Sequence, residues 1–373
     1  MGAGLRILLV GPYAPDGQFS IPAFVSTLES GLRRLGHEVE SVAPQASRRG
    51  RALRPVLGRR TAFFDKFVAF PPKLRQKAKR FDVVQIAEHG YALYESVLRN
   101  KPHAVTCHDL IVAKAALGEI DDWPLGSAAK QYQFSILKHL AKCDRVPCAS
   151  VATQEDVLRL VNRDHAKTPL LYDGFLRQTP KMESAEAIAL LKSVGVDPGG
   201  EWLLHVGGNQ PNKNKVGVMR IYAELQKLQP DRKIGLVMAG ASPPEDALAI
   251  RDSLAHPELV QILNRPSDEV IRALYSTAAA LLFPSTYEGF GLPIIEAQAA
   301  GCPVITTNRP PMSEVAGDAA ILVEPEDPAG AANIIAERWN SIRDLIPCGA
   351  KNIVRFATDT MVAGYEALYR EMV

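Results

Sequence analysis

Short runs rich in valine, isoleucine and leucine alternate along this chain with longer segments whose apolar residues recur every three or four positions. Strands buried on both faces of a parallel sheet give the first pattern, and the helices that cover such a sheet give the second. The alternation occurs twice, so the sequence predicts an α/β protein with two parallel sheets. The predicted strands are residues 6–10, 39–42, 83–86, 104–107 and 145–149 in the first half, and 202–206, 234–238, 260–263, 280–283, 304–306 and 320–323 in the second.

A segment rich in proline and glycine, residues 174–201, separates the two halves and contains one predicted helix, residues 184–193. Because 373 residues exceed the size at which a single hydrophobic core stops growing, we expect two domains, residues 1–178 and 190–352. Residues 353–373 carry apolar side chains at helical spacing, which predicts a final amphipathic helix with one face to bury.

The composition is typical of a globular protein, with 47% hydrophobic and 23% charged residues and a net charge of +2. No apolar run reaches the roughly 18 residues of a membrane-spanning helix, and the start MGAGLRILLV is typical of a first strand rather than a signal sequence. We therefore expect a cytoplasmic protein. Its five cysteines lack metal-binding spacing and are expected to be reduced and mostly buried.

Positive charge is concentrated in residues 48–80, where twelve arginines and lysines accompany one acidic residue, Asp65. Interleaved with this charge is an apolar set: Phe63, Phe64, Phe67, Phe70, Pro71 and Pro72. Two hypotheses stay open, a surface that binds the inner face of an anionic membrane and a solvated loop. Nucleic acid is not an expected partner, because phosphate contacts alone would give salt-sensitive binding without sequence preference.

The segment with the most chemistry is residues 283–301, FPSTYEGFGLPIIEAQAAG. A buried strand is predicted to end at Phe283 and a helix to begin near Pro293, whose missing N–H is harmless in the first helical turn. Gly289 and Gly291 let the backbone approach a ligand, and the N–H groups at the helix start attract an anion. The segment therefore predicts a binding loop for a diphosphate.

Two carboxylates flank this loop, Glu288 before the predicted helix and Glu296 within it. Each carboxylate has two acceptor oxygens and suits a pair of neighbouring hydroxyl groups. One of them can therefore bind a ribose while the other binds the hydroxyls of a sugar.

This segment resembles the E-x7-E signature of the GT-B glycosyltransferases of the family-4 type, and residues 313–328, SEVAGDAAILVEPEDP, resemble the stretch that follows it in that family. The resemblance implies a GT-B fold, with two Rossmann-like domains facing a central cleft and the final helix packed back on the first domain. It implies that Glu296 binds the ribose hydroxyls and that Glu288 contacts the donor sugar. The backbone N–H groups of Phe290, Gly291 and Leu292 would then bind the phosphates and the sugar.

Residues 205–214, HVGGNQPNKN, resemble the diphosphate loop of the same family, which usually carries an arginine and, five positions later, a lysine. Lys213 occupies the lysine position, whereas Gly208 replaces the arginine, and Asn209 or a backbone N–H can substitute for it. Lys213 would stabilise the charge that grows on the nucleoside diphosphate as the glycosidic bond breaks. Asn264 and Arg265 lie where the backbone of the family contacts the nucleobase.

In the first half, His108 and Asp109 follow a predicted strand, at the edge where open α/β sheets bind ligands. The resemblance places His108 near the anomeric carbon, and Asp109 is expected to orient its ring. Gly17 and Gln18 stand where the family usually has two glycines, so Gly17 is either a donor contact or part of a turn. Asp173 takes the place of the asparagine in the usual Asn-Gly pair.

The expected reaction moves a hexosyl group from GDP-mannose or a UDP-sugar to a saccharide or lipid-linked acceptor in cell-surface glycan biosynthesis. The family implies retention of configuration, with the leaving phosphate accepting the proton of the acceptor, so no protein nucleophile is assigned. No metal is expected, because Asp121 and Asp122 are adjacent rather than spaced as in a DxD motif. A sugar-nucleotide epimerase of the same fold and a non-catalytic nucleotide-sugar-binding subunit remain as alternatives.

Overall fold

A computed structural model of the chain describes residues 3–18, 20–46, 59–121, 123–175, 180–196 and 200–373. The chain forms two compact units, of which the first comprises Met1–Leu176 and Ala357–Val373 and the second comprises Arg177–Phe356. Residue 178, where the first domain is predicted to end, lies outside the described residues. The same is true of Asp122 and of the basic residues Arg48, Arg49, Arg51 and Arg54.

The first unit contains a parallel sheet with the strand order β2-β1-β3-β4. Its strands are β1 (Arg6–Val10), β2 (Glu38–Val42), β3 (Val83–Ile86) and β4 (His103–Val105). The helices of the unit up to residue 176 are α1 (Ser20–Arg34), α2 (Arg59–Phe64), α3 (Phe70–Ala78), α4 (Glu95–Leu98), α5 (Ile111–Leu117), α6 (Ser127–Leu140) and α7 (Val151–Val161). Separate apolar clusters involve alternate strand residues, Leu8 and Val10 in one and Ile7 and Leu9 in the other, so both faces of the sheet are buried.

The strand predicted over residues 145–149 is wrong. This segment makes only isolated bridges to its neighbours, such as Arg145 with Ala104 and Cys148 with Cys107. Pro147 interrupts the segment, and a proline cannot donate a hydrogen bond to a neighbouring strand.

The second unit contains a larger parallel sheet with the strand order β10-β9-β8-β5-β6-β7. Its strands are β5 (Trp202–Gly207), β6 (Gly235–Gly240), β7 (Val260–Asn264), β8 (Ala280–Phe283), β9 (Val304–Thr307) and β10 (Ala320–Val323). Its helices are α8 (Ser184–Ser193), α9 (Lys215–Leu228), α10 (Glu245–Asp252), α11 (Asp268–Thr277), α12 (Leu292–Ala299), α13 (Met312–Ala316), α14 (Pro328–Arg338) and α15 (Leu345–Asn352). The two parallel α/β sheets confirm the predicted fold class.

The strand order of the second sheet reverses between β5 and β8, which are neighbours although they are far apart in the chain. This is the order of doubly wound dinucleotide-binding sheets, in which the connections on the two sides of the reversal diverge and leave a crevice at the carboxyl ends of the strands. The loops that follow β5 and β8 therefore lie where a ligand is expected.

The last helix, α16 (Thr358–Met372), belongs to the first unit and packs against α1. Its apolar face joins the core of that unit through Met361, Val362, Tyr365, Leu368 and Tyr369. The hydroxyl of Tyr369 donates to Oε1 of the buried Gln85 at 3.1 Å. This hydrogen bond, from an otherwise apolar helix face, holds α16 in one position on the sheet.

The described part of the basic stretch is helical rather than a loop, with a π-helical turn, Asp65–Ala69, between α2 and α3. Phe63 and Phe64 are 53% and 54% exposed, but Phe70 is buried in the core, so the prediction of a surface role for Phe70 is wrong. Among the described residues, no helix combines the length and the apolar character needed to cross a membrane.

Candidate functional site

Two asparagines hold the loops after β5 and β8 together. The side chain of Asn212 donates from Nδ2 to the carbonyl oxygen of Tyr287 at 2.7 Å, and its backbone carbonyl oxygen accepts the N–H of Thr286 at 2.9 Å. Asn214 donates from Nδ2 to the carbonyl oxygen of Pro284 at 3.0 Å. Neither asparagine was predicted to have a role, although both flank Lys213 in the motif that was singled out. They give the two halves of the crevice a fixed spacing.

Lys213 and Glu288, which are 75 positions apart in the sequence, meet in this crevice. The Lys213 ammonium donates to both carboxylate oxygens of Glu288, at 2.7 and 2.9 Å, and lies 5.3 Å from the centre of the Phe283 ring. Their side chains are 19% and 9% exposed, so the pair is mostly shielded from water. An ion pair whose side chains are still partly exposed can exchange its internal contact for contacts with a ligand that carries both charged and hydroxyl groups.

Glu296 lies on α12 and is largely buried, and its Oε2 accepts a hydrogen bond from the Tyr275 hydroxyl at 3.1 Å. Tyr275 comes from α11, and no local sequence pattern indicates this contact. The helix begins after Gly291, whose φ of 110° is accessible to glycine but strained for other residues, and the N–H of Ile294 closes the first turn on the Gly291 carbonyl oxygen. Pro293 lies in that first turn, as predicted.

Phe290 precedes this helix and is buried, with its ring packed edge to face on Phe356 at 5.3 Å. A buried side chain anchors the loop and leaves the backbone to meet a ligand. This is compatible with the backbone role predicted for Phe290, Gly291 and Leu292. The first N–H groups of a helix have no acceptor within the helix itself, so this end attracts anions.

Most of the remaining residues of this unit that are predicted to bind the sugar donor are more exposed than Glu288 and Glu296. Asn209 is exposed, and at Gly208 a Cβ atom would overlap the side-chain oxygen of Gln210. Asn264 and Arg265 are exposed at the end of β7, and Arg265 has a φ of 49° and donates its N–H to the Gly240 carbonyl oxygen at 2.7 Å. Their predicted contacts with a donor remain predictions.

In the first unit, His108 is held by two hydrogen-bond acceptors. Nδ1 lies 3.1 Å from Oδ2 of Asp173, and Nε2 lies 3.0 Å from the carbonyl oxygen of Ala87. Burial opposes a charge on the ring, but the Asp173 carboxylate and these hydrogen bonds outweigh it and raise the pKa of His108 to about 9. His108 is therefore an imidazolium at neutral pH that donates from both nitrogens.

Asp109 does not orient this ring, so that expectation is wrong. Its Oδ1 accepts the N–H of Ile111 at 3.0 Å, which places the carboxylate at the start of α5. A carboxylate in that position satisfies a helix N–H that lacks an intrahelical partner. Asp173, 65 positions away from His108, orients the ring instead.

Gly17 and Gln18 lie in the loop after β1. Gly17 has a φ of 69° and closes a short 3₁₀ turn, while Nε2 of Gln18 donates to the two carboxylate oxygens of Glu88 at 3.0 and 3.1 Å. Glu88 follows β3, which pairs with β1 on the edge away from β2, and its charge also favours protonation of His108. Glu88 thus connects the loop that contains Gly17 and Gln18 with His108 at the carboxyl ends of the strands of this sheet.

Potential metal ligands are dispersed. Within the ranges that the structure covers, no three histidine, cysteine, aspartate or glutamate side chains are grouped as a metal site requires. Four of the cysteines are buried and Cys348 is exposed, which agrees with the expectation of mostly buried thiols.

Comparison with known proteins identifies two matching family models: Glycosyltransferase Family 4 over residues 23–175 and Glycosyl transferases group 1 over residues 189–341. The O-antigen chain mannosyltransferase B of Escherichia coli is 32% identical over 128 residues, which are 34% of this chain and 33% of that protein. The O-antigen chain mannosyltransferase RfbU of Salmonella typhimurium is 26% identical over 199 residues, which are 52% of this chain and 51% of that protein. The chain thus spans about a third and about half the length of these relatives.

Among solved structures, Anabaena HepE in complex with UDP and glucose is similar with a TM-score of 0.72 and 16% identity, over 98% of this chain and all of that chain. At this identity the likeness concerns the fold. The two family models together match most of the chain, each on one of its two sheets. The chain belongs to the GT-B glycosyltransferases of the family-4, or glycosyl transferases group 1, type.

Proposed function

We propose that this chain is a retaining glycosyltransferase that moves a hexosyl group from a nucleotide-diphosphate sugar to a saccharide or lipid-linked acceptor of the cell surface. The observation that carries the proposal is the Lys213–Glu288 ion pair at the reversal of strand order, beside the start of α12 and Glu296. The names of the mannosyltransferase relatives support mannose as the sugar, and the UDP bound to HepE supports a nucleoside diphosphate as the carrier.

Each part of the donor, the diphosphate, the sugar and the ribose, would bind to a different group of this site. The diphosphate binds the N–H groups at the start of α12 and the Lys213 ammonium. Glu288, released from Lys213, accepts hydrogen bonds from hydroxyls of the sugar, and Glu296, held by Tyr275, accepts them from the ribose.

In the reaction, a bond forms between the acceptor oxygen and the anomeric carbon while the bond from that carbon to the phosphate oxygen breaks. The proton of the acceptor hydroxyl passes to the leaving phosphate on the same face, which retains the configuration. His108 cannot accept this proton in its protonated form, because both ring nitrogens already donate to Asp173 and Ala87. Its role is a fixed positive charge.

The positive charge that a metal ion supplies in other transferases would come here from Lys213 and from the helix start. We therefore propose that transfer is independent of metal. Activity that falls to background with EDTA and returns with Mg²⁺ or Mn²⁺ refutes this part of the proposal.

Nucleotide binding is the first test. Thermal unfolding of the full chain is followed with UDP, GDP, ADP and dTDP, because a ligand at 100 times its Kd stabilises the folded state by about 2.7 kcal/mol. Glu296→Ala and Lys213→Ala are expected to abolish this stabilisation while the unliganded fold persists. The matched controls are Lys227→Ala and Glu224→Ala, which remove an exposed ion pair on α9 and should not affect binding. Unchanged nucleotide affinity in both site variants overturns the proposal.

Product analysis separates the enzyme classes. Incubation with GDP-mannose or UDP-glucose and a saccharide acceptor should give a glycoside that NMR shows to have the configuration of the donor. Release of an altered monosaccharide without any acceptor indicates an epimerase. Nucleotide binding without any product under either condition indicates a non-catalytic subunit.

We also propose that α2, the π-helical turn and α3 contact the inner face of an anionic membrane. Exposed side chains in these elements, and Lys79 directly after α3, combine apolar groups, Phe63, Phe64 and Val68, with basic groups that include Arg75. Val68, Arg75 and Lys79 line one shallow groove of about 600 Å³, so the two kinds of side chain lie on a common surface. Basic residues beside exposed aromatic ones are typical of proteins that bind the interface of anionic membranes.

Co-sedimentation with vesicles of phosphatidylcholine, with and without phosphatidylglycerol, tests this contact. Binding should require the anionic lipid and weaken both in Arg75→Glu/Lys79→Glu and in Phe63→Ser/Phe64→Ser. Phe134→Ser, which changes an exposed phenylalanine on α6, is the matched control. Binding that is equally weak before and after charge reversal contradicts the proposal.

A further inference from the structure

Lys215, the first residue of α9, is a buried cation that no described carboxylate pairs with. The residue is 5% exposed, and its ammonium donates to the carbonyl oxygen of Ala241, which follows β6. Within the part of the chain that the structure describes, its ammonium forms no ion pair with a carboxylate. Burial lowers the pKa of Lys215 to about 8, and no negative charge among the residues that the structure covers offsets this effect.

Such a position is unfavourable unless something compensates it. Lysine is rarely buried without a partner, because removing an ammonium from water costs several kcal/mol that one carbonyl oxygen does not return. An ammonium has three N–H donors, and only one of those of Lys215 has an acceptor among the described residues. A full charge and two donors are therefore available to an anion.

Lys215 lies at the carboxyl ends of β5 and β6, and β5 also borders the donor crevice. Ala241 donates its N–H to the carbonyl oxygen of Gly207, the last residue of β5, at 3.2 Å. His205, on the same strand, is wholly buried, and its pKa is lowered to about 4, mainly by burial and further by the charges of Lys215 and Lys213. Both ammonium groups therefore act on one imidazole at the carboxyl end of β5.

The same imidazole has an unused acceptor. His205 donates from Nδ1 to the carbonyl oxygen of Leu282 at 3.0 Å, because a carbonyl oxygen can only accept. Nε2 is then an unprotonated nitrogen, and it is buried with no hydrogen-bond partner among the described residues. Nε2 lies 3.2 Å from the position that a Cβ atom would occupy at Gly207, so it is next to the backbone at the end of β5.

The charges already assigned to the donor crevice do not favour an anion. Lys213 is neutralised by Glu288, and Glu296, on α12, adds a further negative charge. The start of a helix contributes only about half a positive charge. A nucleoside diphosphate would meet a net negative group unless another cation contributes.

We propose that Lys215 is the second cation of this crevice and binds the diphosphate of the donor. This rests on the proposed function, since it assigns a residue to the same nucleotide-binding site. The hydrogen bond to Ala241 holds the ammonium at the carboxyl edge of β5 and β6 before the ligand arrives.

The test is Lys215→Met in the full chain, which keeps the length of the side chain and removes its charge. Affinity is measured by calorimetry for the nucleoside diphosphate that binds best, for the matching nucleoside and for inorganic pyrophosphate. We expect the diphosphate and pyrophosphate affinities to fall by about tenfold or more and nucleoside affinity to stay within about twofold. The unliganded variant should unfold at the same or a higher temperature, because a buried unpaired charge is lost. Lys227→Met, on the exposed face of the same helix, is the matched control.

The outcomes separate the two proposals. If the unaltered chain binds none of the four nucleoside diphosphates, the donor site is refuted, and Lys215 with it. If the unaltered chain binds one of them and Lys215→Met binds it equally well, only the role of Lys215 is refuted. A parallel loss of thermal stability and of nucleoside affinity in the variant identifies Lys215 as a structural anchor and also overturns the inference.

Discussion

Replacing Asp173 with asparagine should remove the positive charge of His108 at neutral pH. The asparagine keeps the size of the side chain but not its charge, so only the hydrogen bond to Ala87 and the more distant charge of Glu88 still oppose the effect of burial on the imidazole. His108 has a reference pKa of 6.5, and the Asp173 carboxylate is the first of the interactions that overcome burial and raise its pKa to about 9. In Asp173→Asn the pKa of His108 should return to its reference range or lower.

The stability consequence follows from linkage. A shift from 6.5 to about 9, at roughly 1.4 kcal/mol per pH unit, is worth about 3 kcal/mol of folding free energy. Because the folded pKa of His108 is raised, this stabilisation is fully present below pH 6.5 and is lost as the pH rises through about 9. The variant should therefore be destabilised most at pH 6, and its difference from the unaltered chain should be nearly gone at pH 10.

Two measurements check this prediction. NMR titration of the imidazole protons, with the His108 signal assigned by its loss in His108→Gln, should give an apparent pKa near 9 in the unaltered chain and below 7 in Asp173→Asn. Urea unfolding at pH 6 and pH 10 should show the predicted change in the free-energy difference. A His108 that titrates near 6.5 in both proteins would refute the reasoning, since the ion pair would then not control its protonation.

Three further substitutions test packing and positioning. Tyr275→Phe removes the hydroxyl that holds Glu296 and should weaken nucleotide binding by about tenfold or more in calorimetry, because a hydrogen bond to a charged group contributes about 1.5–3 kcal/mol; an unchanged Kd contradicts this. Gly31→Ala forces a methyl group into Val362 across the α1–α16 contact and should lower the unfolding free energy by about 1–3 kcal/mol in urea titration, despite the better helix propensity of alanine. Gly240→Ala combines a φ of 128° with overlap of the carbonyl oxygen at the end of β5, and should cost about 1–3 kcal/mol; a midpoint of thermal unfolding equal to that of the unaltered chain is evidence against it.

The sequence determined the sheet and helix pattern of the second unit well. The strand ends predicted for residues 280–283 and 320–323 match β8 and β10, and helix 184–193 matches α8. These elements are short, uniformly apolar runs or periodic segments bounded by polar or glycine residues, so local pattern was sufficient. It failed at residues 145–149, where a proline within an apolar run prevents a continuous ladder.

The candidate site was predicted in part. The start of α12 could be predicted because Gly291 allows a positive φ and Pro293 fits the first helical turn. The spacing of Glu288 and Glu296 was sufficient to place one carboxylate on each side of this start. The partner of each carboxylate could not be predicted in this way, because Lys213 reaches Glu288 only through the pairing of β5 with β8.

Only the tertiary structure decided which polar groups are paired and which are not. It assigned Asp173 rather than Asp109 to His108, and left Lys215 buried without a carboxylate among the described residues. A side chain's charge state and energy depend on its neighbours in space and on its removal from water. Local sequence specifies which helices and strands form, whereas the pairing of strands that are far apart in the chain determines which side chains contact each other.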